Sequence, residues 1–205
     1  MTTIAELHVS GRARPAYGDL ARAVLVGLGL AAIVAVRWAV TEPGTNEALA
    51  IGLGFGLALL ALAIAGGERH VEGPRGRAIL IGLGGGAVLV AVALTGRIGV
   101  AGPTLGLAAP FVPWALITIL VGTGEELVLR VVLFRLLTRS GGGAVAVLAT
   151  SLVFALLHVP LYGWHVVPLD LGVGLWLAGL RLVSGGVAAP AIAHSVADLA
   201  TWWIS

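Results

Sequence analysis

Seven apolar runs divide the sequence, and polar or glycine-rich links separate them. The runs cover about residues 20–40, 48–65, 78–94, 111–137, 143–158, 166–183 and 187–204. A helix that crosses the hydrocarbon core of a bilayer needs roughly 20 consecutive apolar residues. The pattern therefore predicts an all-α fold, a polytopic transmembrane bundle of about seven spanning helices.

The composition agrees with a membrane protein and excludes several other classes. Of the 205 residues, 59% are hydrophobic and 11% are charged, whereas about 25% of the residues in a soluble domain are charged. The sequence has no cysteine, which excludes disulfides and thiolate metal sites. Its basic residues are dispersed arginines, so nothing in the charge pattern favours a nucleic-acid partner. The partner that the composition predicts is the lipid bilayer.

The arginines alternate from one link to the next, and this alternation predicts the orientation of the chain. One set of links and helix ends carries most of them: Arg12, Arg14, Arg22, Arg69, Arg75, Arg77, Arg135, Arg139 and Arg181. The opposite set carries Arg37 and Arg97. Cytoplasmic links are the ones enriched in basic residues. We therefore expect an integral, multi-pass protein with a cytoplasmic N-terminus.

Glycine clusters lie inside two of the apolar runs. Gly52, Gly54 and Gly56 alternate in one run, and Gly82 and Gly86 belong to a glycine-rich stretch of another. A dinucleotide-binding loop would need a preceding strand, and neither cluster has one. Small residues at this spacing let membrane helices approach closely. We therefore interpret both clusters as helix-packing surfaces.

Ionisable side chains inside the apolar runs are concentrated in the second half of the chain. Each such group costs at least about 2.5 kcal/mol on insertion scales, so each is a candidate functional residue. The candidates are Glu125, Glu126, Arg130, His158, Asp170, His194 and Asp198. Asp170 is near the outer end of its run, where charge is better tolerated, and we interpret it as water-facing or as a packing residue.

Two adjacent glutamates and an arginine lie in the fourth run. Glu126 and Arg130 are four residues apart, so they share a helix face and can form an ion pair. A purely structural ion pair is an alternative interpretation of these two residues. Glu125 is rotated by about 100° from Glu126 and can face a different neighbour. A carboxyl group there without a local partner is a candidate general acid or base.

Two histidines each lie four residues from another side chain of interest. Phe154 and His158 share one face of the fifth run, and His194 and Asp198 share one face of the seventh. A single buried histidine is more often a hydrogen-bonding group, but imidazole also exchanges protons near neutral pH. Residue counting places His158 nearer the outer face than the glutamates. Helix tilt, or extension of the fifth helix past Pro160, would close that gap.

Together the motifs EExxxR, FxxxH and HxxxD resemble the CAAX protease and bacteriocin-processing family of intramembrane glutamic endopeptidases. The resemblance covers roughly residues 103–204. It divides the chain into a cytoplasmic tail at residues 1–19, three accessory transmembrane helices at 20–102 and a protease core at 103–204. It also implies a bacterial cell membrane as the location. In the eukaryotic prenyl-protein branch the last motif position is usually asparagine, whereas this chain has Asp198.

The resemblance implies hydrolysis of a membrane-associated peptide or protein without a cofactor. The implied catalytic residues are Glu125, Glu126, His158, His194 and Asp198, and the implied structural residues are Arg130 and Phe154. Glu125 and His158 would activate a water molecule. His194, with Asp198, would polarise the scissile carbonyl. Peptide hydrolysis needs these functions, namely a base for water, a donor for the oxyanion and an acid for the leaving amine.

Three other functions fit the same residues. A zinc-dependent version of the protease would use Glu125, His158 and His194 as ligands, although the sequence has no HExxH motif. A proton-coupled transporter also uses intramembrane acids and histidines. Transporters more often carry internal repeats, and the first half of this chain has no counterpart of the motifs in the second. A non-catalytic immunity or scaffold protein would keep the fold without turnover.

Overall fold

The computed structural model describes residues 16–41, 48–67, 76–96 and 110–204. Most of the predicted N-terminal tail lies outside the described residues, as do Arg12, Arg14, Arg69, Arg75 and Arg97. Within the described ranges the chain is helical and contains no strand. The all-α prediction is therefore confirmed for this part of the chain.

Seven α-helices follow one another along the described chain. They are α1 (Ala16–Val40), α2 (Ala48–Ala65), α3 (Gly76–Gly96), α4 (Phe111–Glu126), α5 (Phe134–Tyr162), α6 (Val167–Ser184) and α7 (Ala188–Ile204). A π-helical segment, Leu127–Leu133, joins α4 directly to α5, and a short 3₁₀ helix, Trp164–Val166, precedes α6. The described chain thus contains seven α-helices, and the predicted figure of about seven spanning helices is approximate.

Five helical stretches of the described chain are long and apolar enough to cross a membrane. They are Tyr17–Val40, Ala48–Ala65, Gly76–Thr95, Phe111–Tyr162 and Trp164–Ser184. The fourth stretch has 52 residues and combines α4, the π-helical segment and α5. It bends at Gly142, where φ is 87°, a value that glycine adopts at little cost. The predicted break between the fourth and fifth helices falls at this bend. Because α7 has only 17 residues, seven is an approximate count of membrane spans.

The fifth predicted helix is longer at its end than expected. The apolar pattern ends it at His158, but α5 continues past Pro160 to Tyr162. It stops at Gly163, whose φ of 88° is accessible to glycine at little cost and strained for other residues. An extension past Pro160 is one of the two ways, with helix tilt, in which we expected the depth difference between His158 and the glutamates to be closed.

The helices that carry the candidate residues pack closely against their neighbours at positions where one of the two helices has a glycine. Helix α7 packs against α3, α4 and α6, and α2 packs against α4. A Cβ atom added at Gly86 of α3 would lie 2.7 Å from Val196 Cβ of α7. One added at Gly56 of α2 would lie 2.8 Å from Leu120 Cγ of α4. Such close approach requires small residues, which agrees with our interpretation of the glycine clusters.

Candidate active site

Glu125 and Glu126 are the last two residues of α4, immediately before the π-helical segment. Glu125 is 5% exposed and Glu126 is fully buried. Single π-helical turns within α-helices are frequent at functional sites. The structure therefore places both predicted carboxyl groups in the interior of the bundle, where burial is tolerated only with polar partners.

Both glutamates face the same residue, His194 of α7. Glu125 Oε2 lies 3.9 Å from His194 Nε2, and Glu126 Oε1 lies 3.4 Å from His194 Nδ1. As expected, Glu125 faces a neighbour other than Arg130, but Glu126 faces that same neighbour as well. Adjacent helical side chains diverge by about 100°, but the imidazole lies between them and presents one nitrogen to each.

His194 has a third acidic neighbour in its own helix. Asp198 Oδ2 lies 3.4 Å from His194 Nε2, so the pairing expected from the four-residue spacing is present. The Asp198 side chain is 39% exposed, whereas that of His194 is 6% exposed. Asp198 is therefore the member of this group that is open to the surroundings.

Arg130 is adjacent to this group of acidic residues and His194, and it is fully buried. Its guanidinium donates hydrogen bonds to Glu126 Oε2 at 3.2 Å, to Thr150 Oγ1 at 2.7 Å and to the Gly174 carbonyl oxygen at 3.0 Å. The predicted Glu126–Arg130 ion pair is thus present, and it is joined to α5 and α6. A buried ion pair needs such additional hydrogen bonds to offset its lost hydration.

His158 of α5 has partners that the sequence did not suggest. Its Nδ1 lies 2.9 Å from the Phe154 carbonyl oxygen and 3.7 Å from Asp170 Oδ2. Its ring stacks on Tyr162 with the centroids 6.0 Å apart. The Asp170 side chain is only 17% exposed. Of the two interpretations of Asp170, the packing residue agrees with the structure and the water-facing one does not, because the side chain lies largely buried beside His158.

Phe154 packs against both imidazoles. Its ring is buried, and the ring centroid lies 4.8 Å from that of His158 and 5.4 Å from that of His194. The two glutamates, His194 and Asp198 form one group. His158 contacts the Phe154 ring, which in turn contacts His194 of that group. The structure thus brings four of the five predicted catalytic side chains into contact and connects the fifth through an aromatic ring.

Sequence reasoning missed three residues around the site, namely Thr150, Gly174 and Tyr162. Thr150 and Gly174 contact Arg130 from positions 20 and 44 residues away in the chain, and no local spacing indicates such contacts. Tyr162 follows His158 by four residues. One further step of the FxxxH spacing would have placed it on the same helix face.

The candidate zinc ligands Glu125, His158 and His194 belong to three different helices. Glu125 contacts His194, and the rings of both histidines contact Phe154. Across the described residues, no group of three or more histidine, cysteine, aspartate or glutamate side chains is arranged to hold a metal ion.

Comparison with known families connects this geometry with one class of proteins. Residues 107–200 match the family model for type II CAAX prenyl endopeptidase, Rce1-like. The resemblance inferred from the three motifs is therefore confirmed. No curated protein and no solved structure matches the chain.

The Rce1-like segment runs from the approach to α4 into α7 and contains all the candidate catalytic residues. It covers just under half of the chain, and α1, α2 and α3 lie outside it. The matched family is a protease family, which supports peptide hydrolysis as the general class of activity. Apolar spanning helices lie both before and within the matched segment, so the chain is an integral membrane protein.

Proposed function

We propose that the chain is an intramembrane endopeptidase that hydrolyses a membrane-associated peptide or protein. The observation that carries this proposal is the distance of 3.9 Å between Glu125 Oε2 and His194 Nε2. Both side chains are 6% exposed, and both belong to the segment that matches an endopeptidase family. A buried carboxylate beside an imidazole is an arrangement suited to general acid–base catalysis.

Glu125 is the proposed base. It takes a proton from a water molecule while the water oxygen forms a bond to the scissile carbonyl carbon. The π electrons of the carbonyl group then move onto the carbonyl oxygen. A separation of 3.9 Å is too long for a direct hydrogen bond between Glu125 and His194. A small polar group between the two side chains can contact both of them.

His158 is the second residue that is proposed to act on the attacking water molecule. A hydrogen bond from its Nδ1–H to the Phe154 carbonyl oxygen, at 2.9 Å, would leave Nε2 of the neutral ring as an acceptor. Such an acceptor can orient the attacking water. Because the polar partners of His158 are the Phe154 carbonyl oxygen and Asp170, we propose that it acts with Glu125 through a shared water molecule.

His194 and Asp198 are proposed to act on the scissile carbonyl. In its imidazolium form His194 carries a proton on each ring nitrogen, and the N–H group at Nε2 donates to the carbonyl oxygen as negative charge develops there, which stabilises the tetrahedral intermediate. The attacking oxygen and the carbonyl oxygen are bonded to one carbon atom in that intermediate. The base and the donor must therefore lie close together, as Glu125 and His194 do. Asp198, at 3.4 Å from His194 Nε2, orients the ring.

Collapse of the intermediate completes the proposed reaction. The electrons on the oxyanion re-form the carbonyl bond and the C–N bond breaks. The leaving nitrogen takes the proton that Glu125 removed from water, which returns Glu125 to its carboxylate form. The products are one new carboxyl terminus and one new amino terminus.

We further propose a bacterial cell membrane as the location, with the N-terminus in the cytoplasm. Arg22 of α1 donates to the Gly66 carbonyl oxygen after α2, and Arg139 of α5 donates to Asp19 of α1. These contacts gather the arginine-bearing ends of three helices on one side of the bundle. Basic residues favour the cytoplasmic side, which supports this orientation.

The other functions make different predictions. A zinc-dependent protease loses activity when a chelator removes the metal, whereas the glutamic mechanism proposed here does not need the metal. A non-catalytic immunity or scaffold protein produces no new termini. A proton-coupled transporter produces a proton flux without cleavage, because buried acids and histidines also serve as proton relays.

The wild type and Glu125→Gln, expressed at matched levels in bacterial membranes, distinguish these functions. New protein N-termini are catalogued by mass spectrometry in the presence and absence of chelator. We expect termini that appear only with the wild type and persist with chelator. Loss of the termini with chelator would favour the zinc version, and identical catalogues from both variants would favour a non-catalytic role or transport.

A further inference from the structure

Two buried polar atoms face each other in the site. Glu126 Oε1 and His194 Nδ1 are 3.4 Å apart, and neither has a hydrogen-bond partner among the described residues. Buried polar atoms are almost always hydrogen-bonded. A proton on His194 Nδ1 that points at Glu126 Oε1 satisfies both atoms at once, since an ionised carboxylate only accepts hydrogen bonds.

The other oxygen of the Glu126 carboxylate is held by Arg130. The same guanidinium bonds Thr150 Oγ1 at 2.7 Å and the Gly174 carbonyl oxygen at 3.0 Å. Arginine donors have a fixed planar geometry, so partners on α5 and α6 determine where the guanidinium lies. The position of the Glu126 carboxylate therefore depends on groups outside the helix that carries it.

Thr150 can hold the Arg130 guanidinium in place because of the hydrogen bond that its own hydroxyl donates. Its hydroxyl donates to the Ala146 carbonyl oxygen at 2.8 Å, a common arrangement for threonine inside a helix. The hydroxyl hydrogen is thereby used, and the oxygen lone pairs point to a donor. Arg130 is that donor. The residue is fully buried, so water does not compete for the contact.

We propose that Thr150 is a positioning residue for His194. Through Arg130 it fixes the Glu126 carboxylate so that Oε1 accepts the proton of His194 Nδ1, and this bond turns His194 Nε2 toward Glu125 and Asp198. The effect on the ring follows from these contacts alone. The effect on catalysis rests on the proposed endopeptidase function.

The neighbouring residue Ser151 offers a matched control. It is as buried as Thr150, but its hydroxyl has no hydrogen-bond partner among the described residues. In the same turn of α5, Ser151→Ala removes a hydroxyl that makes no hydrogen bond to Arg130, and it keeps the Cβ atom that lies near Gly174. Thr150→Val removes the hydroxyl while keeping the shape of the side chain, and Thr150→Ser restores it.

The test uses ¹⁵N-labelled histidine in the full chain, reconstituted in lipid vesicles, with His194 signals assigned by difference against His194→Gln. We expect a protonated-type Nδ1 signal in the wild type, Thr150→Ser and Ser151→Ala. In Thr150→Val this signal should move toward the unprotonated type. The rate constant kcat should fall by about 10- to 100-fold, as for other partners that orient an active-site histidine, with KM unchanged.

An unchanged His194 Nδ1 signal in folded Thr150→Val would overturn the proposal, whether or not the chain cleaves any substrate. The same perturbation in Ser151→Ala would also overturn it, because the effect would then be one of general packing. If Thr150→Val does not fold, Thr150→Cys takes its place with the same expectation, since a thiol is a weaker acceptor than a hydroxyl. If neither the wild type nor any variant cleaves, while the NMR pattern is as expected, the endopeptidase function is refuted and the positioning role of Thr150 is not.

Discussion

The carboxylate of Glu125 lies 3.9 Å from the imidazole of His194, although the two residues belong to different helices. This distance depends on how α4 and α7 are held in the bundle. Glu126 of α4 pairs with Arg130, which also bonds residues of α5 and α6. Gly86 of α3 permits close packing of α3 against α7. Both supports can be altered without changing the proposed base.

The first prediction concerns the buried ion pair. Arg130→Leu is expected to lower the yield of folded protein, because Glu126 would stay buried without its cation. Removing one partner of a buried ion pair costs about 3–5 kcal/mol. The measurements are the yield of monodisperse protein and its thermal unfolding midpoint. Arg77→Leu, at an exposed position of α3, is the control. Equal yields from the two variants would contradict a stabilising pair.

The second prediction concerns the contact between α3 and α7. Gly86→Ala is expected to destabilise the protein by about 1–3 kcal/mol through overpacking, because the new Cβ atom would lie 2.7 Å from Val196 Cβ. Gly84 lies in the same helix, and an added Cβ atom there has no neighbour within 4 Å. Gly84→Ala should therefore leave thermal stability unchanged or raise it slightly. Equal unfolding midpoints for the two variants would show that the close contact between Gly86 and Val196 does not contribute to thermal stability.

The third prediction concerns Asp198. Asparagine keeps hydrogen-bonding atoms at this position, so Asp198→Asn should cleave within about tenfold of the wild-type rate. Alanine removes them, and Asp198→Ala should lose about 10²–10³-fold, as expected for the loss of an oxyanion-side group. Initial rates on one substrate in vesicles measure both variants. If asparagine were as inactive as alanine, the negative charge rather than the hydrogen bond would be the required property.

Most of the fold could be predicted from the sequence because apolar runs report directly on membrane helices. The glycine stretch that includes Gly142 marks the bend between the fourth and fifth predicted helices. The apolar run stops at His158, whereas α5 continues through Pro160 to Tyr162, so the sequence predicts the end of this helix too early. Proline removes a backbone donor and disturbs the turn before it, and here the helix continues for two more residues until Gly163.

The candidate site could be predicted where contacts are local. The pairs Glu126–Arg130 and His194–Asp198 are each four residues apart on one helix, so spacing alone indicates them. Contacts between helices could not be predicted in this way. The approach of both glutamates to one imidazole depends on how α7 packs against α4. In the same way, the position of Thr150 beside Arg130 depends on the packing of α5.

The central claim is that Glu125 activates water for peptide hydrolysis within the membrane. The most direct measurement compares the wild type and Glu125→Gln, both reconstituted in vesicles with one substrate and with ¹⁸O-labelled water. The wild type should release a new carboxyl terminus that carries the label. Glu125→Gln should unfold at the same temperature but cleave at least about 100-fold more slowly, because a general base contributes about 10²–10⁴-fold. Cleavage by folded Glu125→Gln at the wild-type rate would contradict the account.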